Sequence, residues 1–307
     1  MDKKKEYSGA YLWLAVACFV MPVAVAVAAF RSLPKPYTYA EIKPDSSGVD
    51  NQLWDQLLRN YVANGLVDYD GLKRDHHFEI YLKQLAKAQP EKLASDAERL
   101  ALHCNAYNAF VINGVIIHKV KNNVLTDVVD QQDLDGDGDR EEDNVFFDLQ
   151  EHIFGGKTIS LNHLEHDVIR PTYNEPRIHV ALVCAAKSCP EIRPEAYLGE
   201  RIDEQLEDQA TLFANNPKHV RYDEKEGKLY LSAILNWYSE DFDASGGVVG
   251  FLEKRAKGET LLAGLMKADQ GEVEIVYNDY NWSLNTQGKT KTSGGGKSFG
   301  SGSIPNE

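Results

Sequence analysis

Basic residues are in short supply. The chain has 307 residues, with 33 Lys and Arg against 47 Asp and Glu, a formal net charge of -14. That sign repels phosphate backbones, and no basic stripe follows the first five residues, so nucleic acid is excluded as a partner. Cysteine is scarce too: four in all, at 18, 104, 184 and 189. No C-x-x-C pair occurs, which weighs against a thioredoxin-type redox centre. The histidines are scattered rather than grouped with cysteines, so zinc-ligand spacing is missing. The sequence also lacks an internal repeat and a regular βαβ alternation. Mixed helices and strands without that alternation imply an α+β fold.

The N-terminus carries the longest apolar run. Three lysines in "MDKKKEYSGA" precede "YLWLAVACFVMPVAVAVAAF", uncharged from Tyr11 to Phe30. Twenty such residues match a helix crossing a bilayer core. The lysines precede the span and few basic residues follow it, so the body is expected to face away from the cytoplasm, in the periplasm if the cell is bacterial. Ala26 and Ala28 also form a small-x-small pattern that a signal peptidase could cut. Residues 1–30 therefore read as a transmembrane anchor or signal segment. In an oxidising compartment Cys104, Cys184 and Cys189 are an odd set, from which two could pair.

Residues 31–49 read as a proline-containing linker, 50–287 as one globular domain, and 288–307 as a disordered Gly/Ser tail. Within the domain, Leu53, Trp54, Leu57, Leu58 and Tyr61 have helical spacing, and "HHFEIYLKQLAKA" repeats it. "SDAERLALHCNAYNAFVINGVIIHKV" is the strongest helix. Ser95 and Glu98 form a capping box, and apolar residues on nearly every face predict a buried central helix. Asn105 and Asn108 fall on or beside its stripe. Buried amides need partners. They either tie down neighbouring backbone or orient a catalytic group. "SLNHLEHDVIRP" predicts a helix starting after Ser160 and ending at Pro171. Glu165 lies in the middle of its apolar face, so it must be paired or protonated, and His166 flanks it. "RIHVALV" predicts a strand covered on both faces and carrying His179. A strand and helix in "KLYLSAILNWYSEDF" and a last strand in "GEVEIVYNDYNWSLN" complete a mixed or antiparallel sheet.

The acidic stretch "DLDGDGDREEDN", residues 133–144, reads as an insertion. Asp133, Asp135 and Asp137 alternate, Gly138 follows, and Asp139 and Glu141 extend the set. This resembles the first half of a calcium loop, although the usual twelfth-position Glu is absent. Bound calcium would relieve the mutual repulsion of these carboxylates. A strand, "NVFFDL", is expected after it.

Five segments together, "NAYNAFVINGV", "ISLNHLEHDVIRP", "PRIHVALVCAAKSCPEI", "LYLSAILNWYSEDF" and "YNDYNWSLN", resemble the family known as domain of unknown function 547. The resemblance extends over most of 50–287 and includes Asn105, Tyr107, Asn108, Glu165, His166, His179, Cys184, Cys189 and Trp282. It implies no activity, since the family is uncharacterised. Cys104 departs from the bulky aromatic or aliphatic residue usual there, which argues against it as a nucleophile. Two functions follow as expectations. The first is a membrane-anchored, extracytoplasmic, calcium-stabilised binding or scaffold domain for an unknown protein or small-molecule ligand. The alternative is a cysteine-dependent hydrolase or acyl-transferase of papain- or transglutaminase-like type. In it Cys189 would attack, His179 or His166 would serve as base, and Glu165, Asn105 or Asn108 would orient the base.

Overall fold

Asp50 starts the first helix. Its side chain accepts from the backbone N–H groups of Gln52 and Leu53, capping α1, Asn51–Tyr61. The computed structural model describes residues 39–128 and 145–287. The acidic segment 133–144, the apolar run 11–30 and the tail 288–307 therefore lie outside the described residues. The described residues from Ala40 onward belong to one compact unit. Immediately before Asp50, Ser47 and Val49 are buried against it.

After α1, β1 (Val62–Ala63) and β2 (Leu66–Val67) pair antiparallel. Asn64 and Gly65 both have positive φ at the turn, as a two-residue type I′ hairpin requires. Helices α2 (Tyr69–Arg74) and α3 (His76–Leu85) follow. The central helix α4 runs Asp96–Ile117, and its capping box is formed in both directions by Ser95 and Glu98. Every residue from Leu100 to Ile112 is buried. It packs against α1, α2, α3 and the helical turns on its far side. It is the only described helix long and apolar enough to cross a membrane, and with 83% of its apolar window buried it is a core helix.

Three sequence expectations change here. "NVFFDL" is not a strand: Val145–Asp148 forms a short helix, α5, with Val145, Phe146 and Phe147 all buried. "SLNHLEHDVIRP" does not end at Pro171. A π-helical segment, His163–Ile169, runs on into α6, Arg170–Tyr173, and the chain stays helical past the proline. Arg170 N–H reaches back to the Glu165 carbonyl, the five-residue span of a π-turn. "RIHVALV" is not a strand either. Pro176–Val180 is a 3₁₀ turn followed by irregular chain. Ile178 N–H bonds the Glu175 carbonyl, and Ala181 N–H and Leu182 N–H both bond that of Ile178. Burial on all sides made the run apolar throughout, and such a pattern does not distinguish a covered strand from a buried turn.

Two antiparallel strands, β3 (His152–Phe154) and β4 (Lys157–Ile159), form a small hairpin. After α7, Ile202–Ala214, comes the mixed sheet. β5 (Val220–Asp223) pairs antiparallel with β6 (Lys228–Leu231), and β6 pairs parallel with β7 (Glu274–Tyr277). Between β6 and β7 lie α8 (Ala233–Trp237), a 3₁₀ segment (Ser239–Ser245), α9 (Gly247–Glu253) and α10 (Glu259–Asp269). Leu229, Leu231, Phe213, Phe242 and Phe251 are among the residues that close a second core around this sheet. The architecture is α+β, as expected.

Candidate functional site

The irregular chain after the 3₁₀ turn is held from two sides. Asn108 donates its side-chain amide to the Ala181 carbonyl at 3.0 Å and accepts from Val183 N–H at 3.0 Å. From the other side, the segment after β7 pairs with it. Asn285 N–H bonds the Ala185 carbonyl, Lys187 N–H bonds Ser283, and Ser188 N–H bonds Asn281. That pairing delivers Tyr280 and Trp282 to the cysteines. Ala185 has φ 58°, a left-handed conformation that costs a non-glycine residue about 1 kcal/mol or more.

Cys184 Sγ lies 3.0 Å from the Tyr280 hydroxyl. Cys189 Sγ in turn accepts the Cys184 backbone N–H at 3.0 Å. All three described cysteines are free thiols. Burial pushes the Cys184 thiol up, but hydrogen bonds from Cys189, Tyr280 and Ala186 N–H outweigh it, and the net is below the ordinary thiol value. Cys189 moves the other way. It is buried, and its proton is shared toward Cys184, so its ionisation is pushed well up. Of the two, Cys184 has the thiolate character that a nucleophile needs. It is also the more exposed.

These sulfurs lie in a pocket that also takes in Glu165, His166, His179, Tyr107 and Tyr238, with Trp237 and Trp282 at its aromatic wall. Its cavity is about 50 Å³, room for a few water-sized groups at ~10–15 Å³ each. A side chain or small acyl group fits; a nucleotide cofactor does not. The rings of the wall pack on one another: Tyr280 lies 4.7 Å from Trp237 and 4.6 Å from Trp282, ring centre to ring centre.

His179 is buried and stacked 3.9 Å from Tyr238. Its Nε2 sits 2.6 Å from Asp241. Arg170 donates two further bonds to Asp241, at 2.9 and 3.0 Å. His179 first, then Arg170, holds the Asp241 carboxyl well below the usual carboxylate range. An ionised Asp241 only accepts, so Nε2 carries the proton and, in the neutral ring, Nδ1 carries the lone pair. That Nδ1 is buried and has no hydrogen-bond partner among the described residues. His166 is tied differently: its Nδ1 lies 2.7 Å from an Arg170 nitrogen and accepts from it.

Glu165 is buried and lines the pocket together with Tyr107 and Tyr238. No Lys or Arg forms an ion pair with it among the described residues. Both tyrosines are pushed far above their ordinary ionisation, by burial and then by the Glu165 charge. Asn105 stands apart from the pocket. Its amide donates to the Tyr197 carbonyl at 2.8 Å and accepts from Tyr197 N–H at 2.9 Å, as a paired strand would. The pocket therefore brings together Cys189, His179, His166 and Glu165. Asn108 supports its floor, and Asn105 anchors a different loop.

Sequence reasoning did not single out Asp241 or Tyr280. Asp241 is one of two adjacent acids in "YSEDF", and only its contact with His179, 62 residues earlier, distinguishes it. Tyr280 lies in a polar aromatic segment whose pairing with residues 185–188 no periodicity shows.

Residues 90–214 match the model of a family described as "Protein of unknown function, DUF547". The matched segment contains α4, the π-helix and both pocket cysteines, and it ends before Asp241 and Tyr280. No curated protein and no solved structure matches the chain.

Proposed function

We propose that this chain, a member of the DUF547 family, is a thiol-dependent hydrolase or acyl-transferase, with Cys184 as nucleophile and His179 as its base. One observation carries the reading. A sulfur 3.0 Å from the Tyr280 hydroxyl shares a small pocket with an imidazole whose protonated nitrogen is fixed by Asp241 and whose basic nitrogen is unpartnered. A nucleophile, a base and an orienting group are the parts that acyl transfer requires. Cys184 passes its proton to His179 Nδ1 through one pocket water and attacks the acyl carbon, and that proton leaves with the departing amine or alcohol. Water or another acceptor then attacks the thioester, giving its proton to His179, which returns it to the sulfur. Asp241 stays ionised throughout and stabilises the imidazolium. Cys189, raised and buried, acts as a donor to the attacking sulfur in place of the attacking role that the sequence suggested.

The scaffold alternative keeps its support from the sequence. Calcium at Asp133, Asp135, Asp137, Asp139 and Glu141, and anchoring through residues 11–30 with the body outside the cytoplasm, are compatible with either function.

The test is a small activated ester, p-nitrophenyl acetate, with the adduct located by peptide mass spectrometry. An acetyl thioester on Cys184, absent from Cys184→Ala and longer-lived in His179→Ala, is the expected result. Acetylation confined to Cys189, or no thioester at all, would reject the assignment.

A further inference from the structure

We infer that this pocket admits uncharged or cationic acyl groups and rejects anionic ones, and that Glu165 sets the preference. The inference rests on the Cys184 reading and adds a substrate class to it. Glu165 is buried in the pocket wall, and the polar groups beside it there include two tyrosine hydroxyls, Tyr107 and Tyr238. Hydroxyls satisfy the oxygens of a carboxylate without cancelling its charge. No Lys or Arg lines the pocket among the described residues. A nearby cation is Arg170, which lies over the Tyr238 ring at 5.1 Å and is bonded to Asp241 and His166. The Arg170 charge thus reaches Glu165 only at longer range and not as an ion pair.

The wall opposite adds to this. Trp237, Tyr280 and Trp282 are partly buried and line the pocket, and aromatic faces attract cations and repel anions. A cavity of about 50 Å³ leaves an incoming group little room to keep a hydration shell. A carboxylate or phosphate on the acyl group would meet Glu165 with no Lys or Arg in the pocket lining, among the described residues, to offset it. An amide, an ester, or a chain ending in an ammonium would meet no such penalty. The substrate class is therefore a neutral or cationic amide or ester, such as a carboxamide side chain, and not an acyl group bearing its own acid.

The experiment uses the full chain and three methanethiosulfonate reagents: methyl, 2-aminoethyl and 2-sulfonatoethyl. In each, the thiolate attacks the sulfenyl sulfur, a mixed disulfide forms, and methanesulfinate departs with the bonding pair. Rates at Cys184 are read by peptide mass spectrometry and divided by the rate of each reagent with a free small thiol, at physiological salt. The normalised aminoethyl and methyl rates should each exceed the sulfonatoethyl rate at least ten-fold. In Glu165→Gln the gap should shrink to within about three-fold. Equal normalised rates in the wild type would overturn the inference without any variant. So would a gap that Glu165→Gln leaves intact, since it would then belong to the general surface charge. If no reagent labels Cys184 while a denatured control does, the thiol assignment itself falls, and the substrate class with it.

Discussion

Tyr280→Phe removes one oxygen and leaves the ring against Trp237 and Trp282. It therefore isolates the hydroxyl that lies 3.0 Å from Cys184 Sγ. A hydrogen bond to a charged acceptor contributes about 1.5–3 kcal/mol. At 1.36 kcal/mol per unit, the Cys184 ionisation should rise by about 1–2 units. The assay is the second-order rate of iodoacetamide alkylation at Cys184 as a function of pH. The wild-type midpoint should lie below the free-thiol value of about 8.5, and the variant midpoint above the wild type's. Below both midpoints the thiolate fraction falls roughly 10–100-fold. The more basic thiolate is a better nucleophile, and a Brønsted slope of about 0.4–0.5 recovers roughly half of that on a logarithmic scale. The variant should thus be about 3–10-fold slower at low pH. Above both midpoints it should be faster. A midpoint unmoved by the substitution, or a uniform slowing without crossover, would show that the hydroxyl does not stabilise the thiolate.

Asn108→Ala should destabilise the fold by about 2–4 kcal/mol, because it orphans the buried Ala181 carbonyl and Val183 N–H. The urea midpoint should drop without a change in slope, and a loss under 1 kcal/mol would contradict the bonding seen. Acid should weaken the fold early: burial above all, with help from Arg99 and His118 respectively, lowers His103 and His152 from 6.5 to about 4. Both folded values lie below the unfolded one, so their stabilisation is complete above pH 6.5 and is lost as pH falls toward 4. Each should forfeit about 2 kcal/mol by pH 5. His152→Phe, which keeps the stack on Phe110, should flatten the decline between pH 6.5 and 5 in thermal melts. For the acidic segment, calcium titrated into the wild type should release or absorb heat, and the double substitution Asp135→Ala/Asp137→Ala should abolish it; matching isotherms would remove calcium from the proposal.

The sequence alone determined which residues would be inside. Leu53 to Tyr61, the all-round apolar helix after Ser95 and its capping box are local patterns, and local hydrogen bonding and burial reproduce them in the structure. It also picked out the polar residues that burial makes expensive, Glu165, His179, Asn105 and Asn108, because a polar side chain in an apolar stretch needs a partner wherever it lands. It did not determine what those partners are. Asn105 and Asn108 look alike on the same helix, yet one holds Tyr197 and the other the floor under Cys184. Cys184 and Cys189 are indistinguishable as letters. Which one gathers donors depends on Tyr280, 96 residues away, and on the left-handed turn at Ala185. Asp241 meets His179 only because the segment after β6 folds back across the 3₁₀ turn. Acidity, tautomer and reactivity are set by distances between groups far apart in the chain, and those distances exist only once the core has closed.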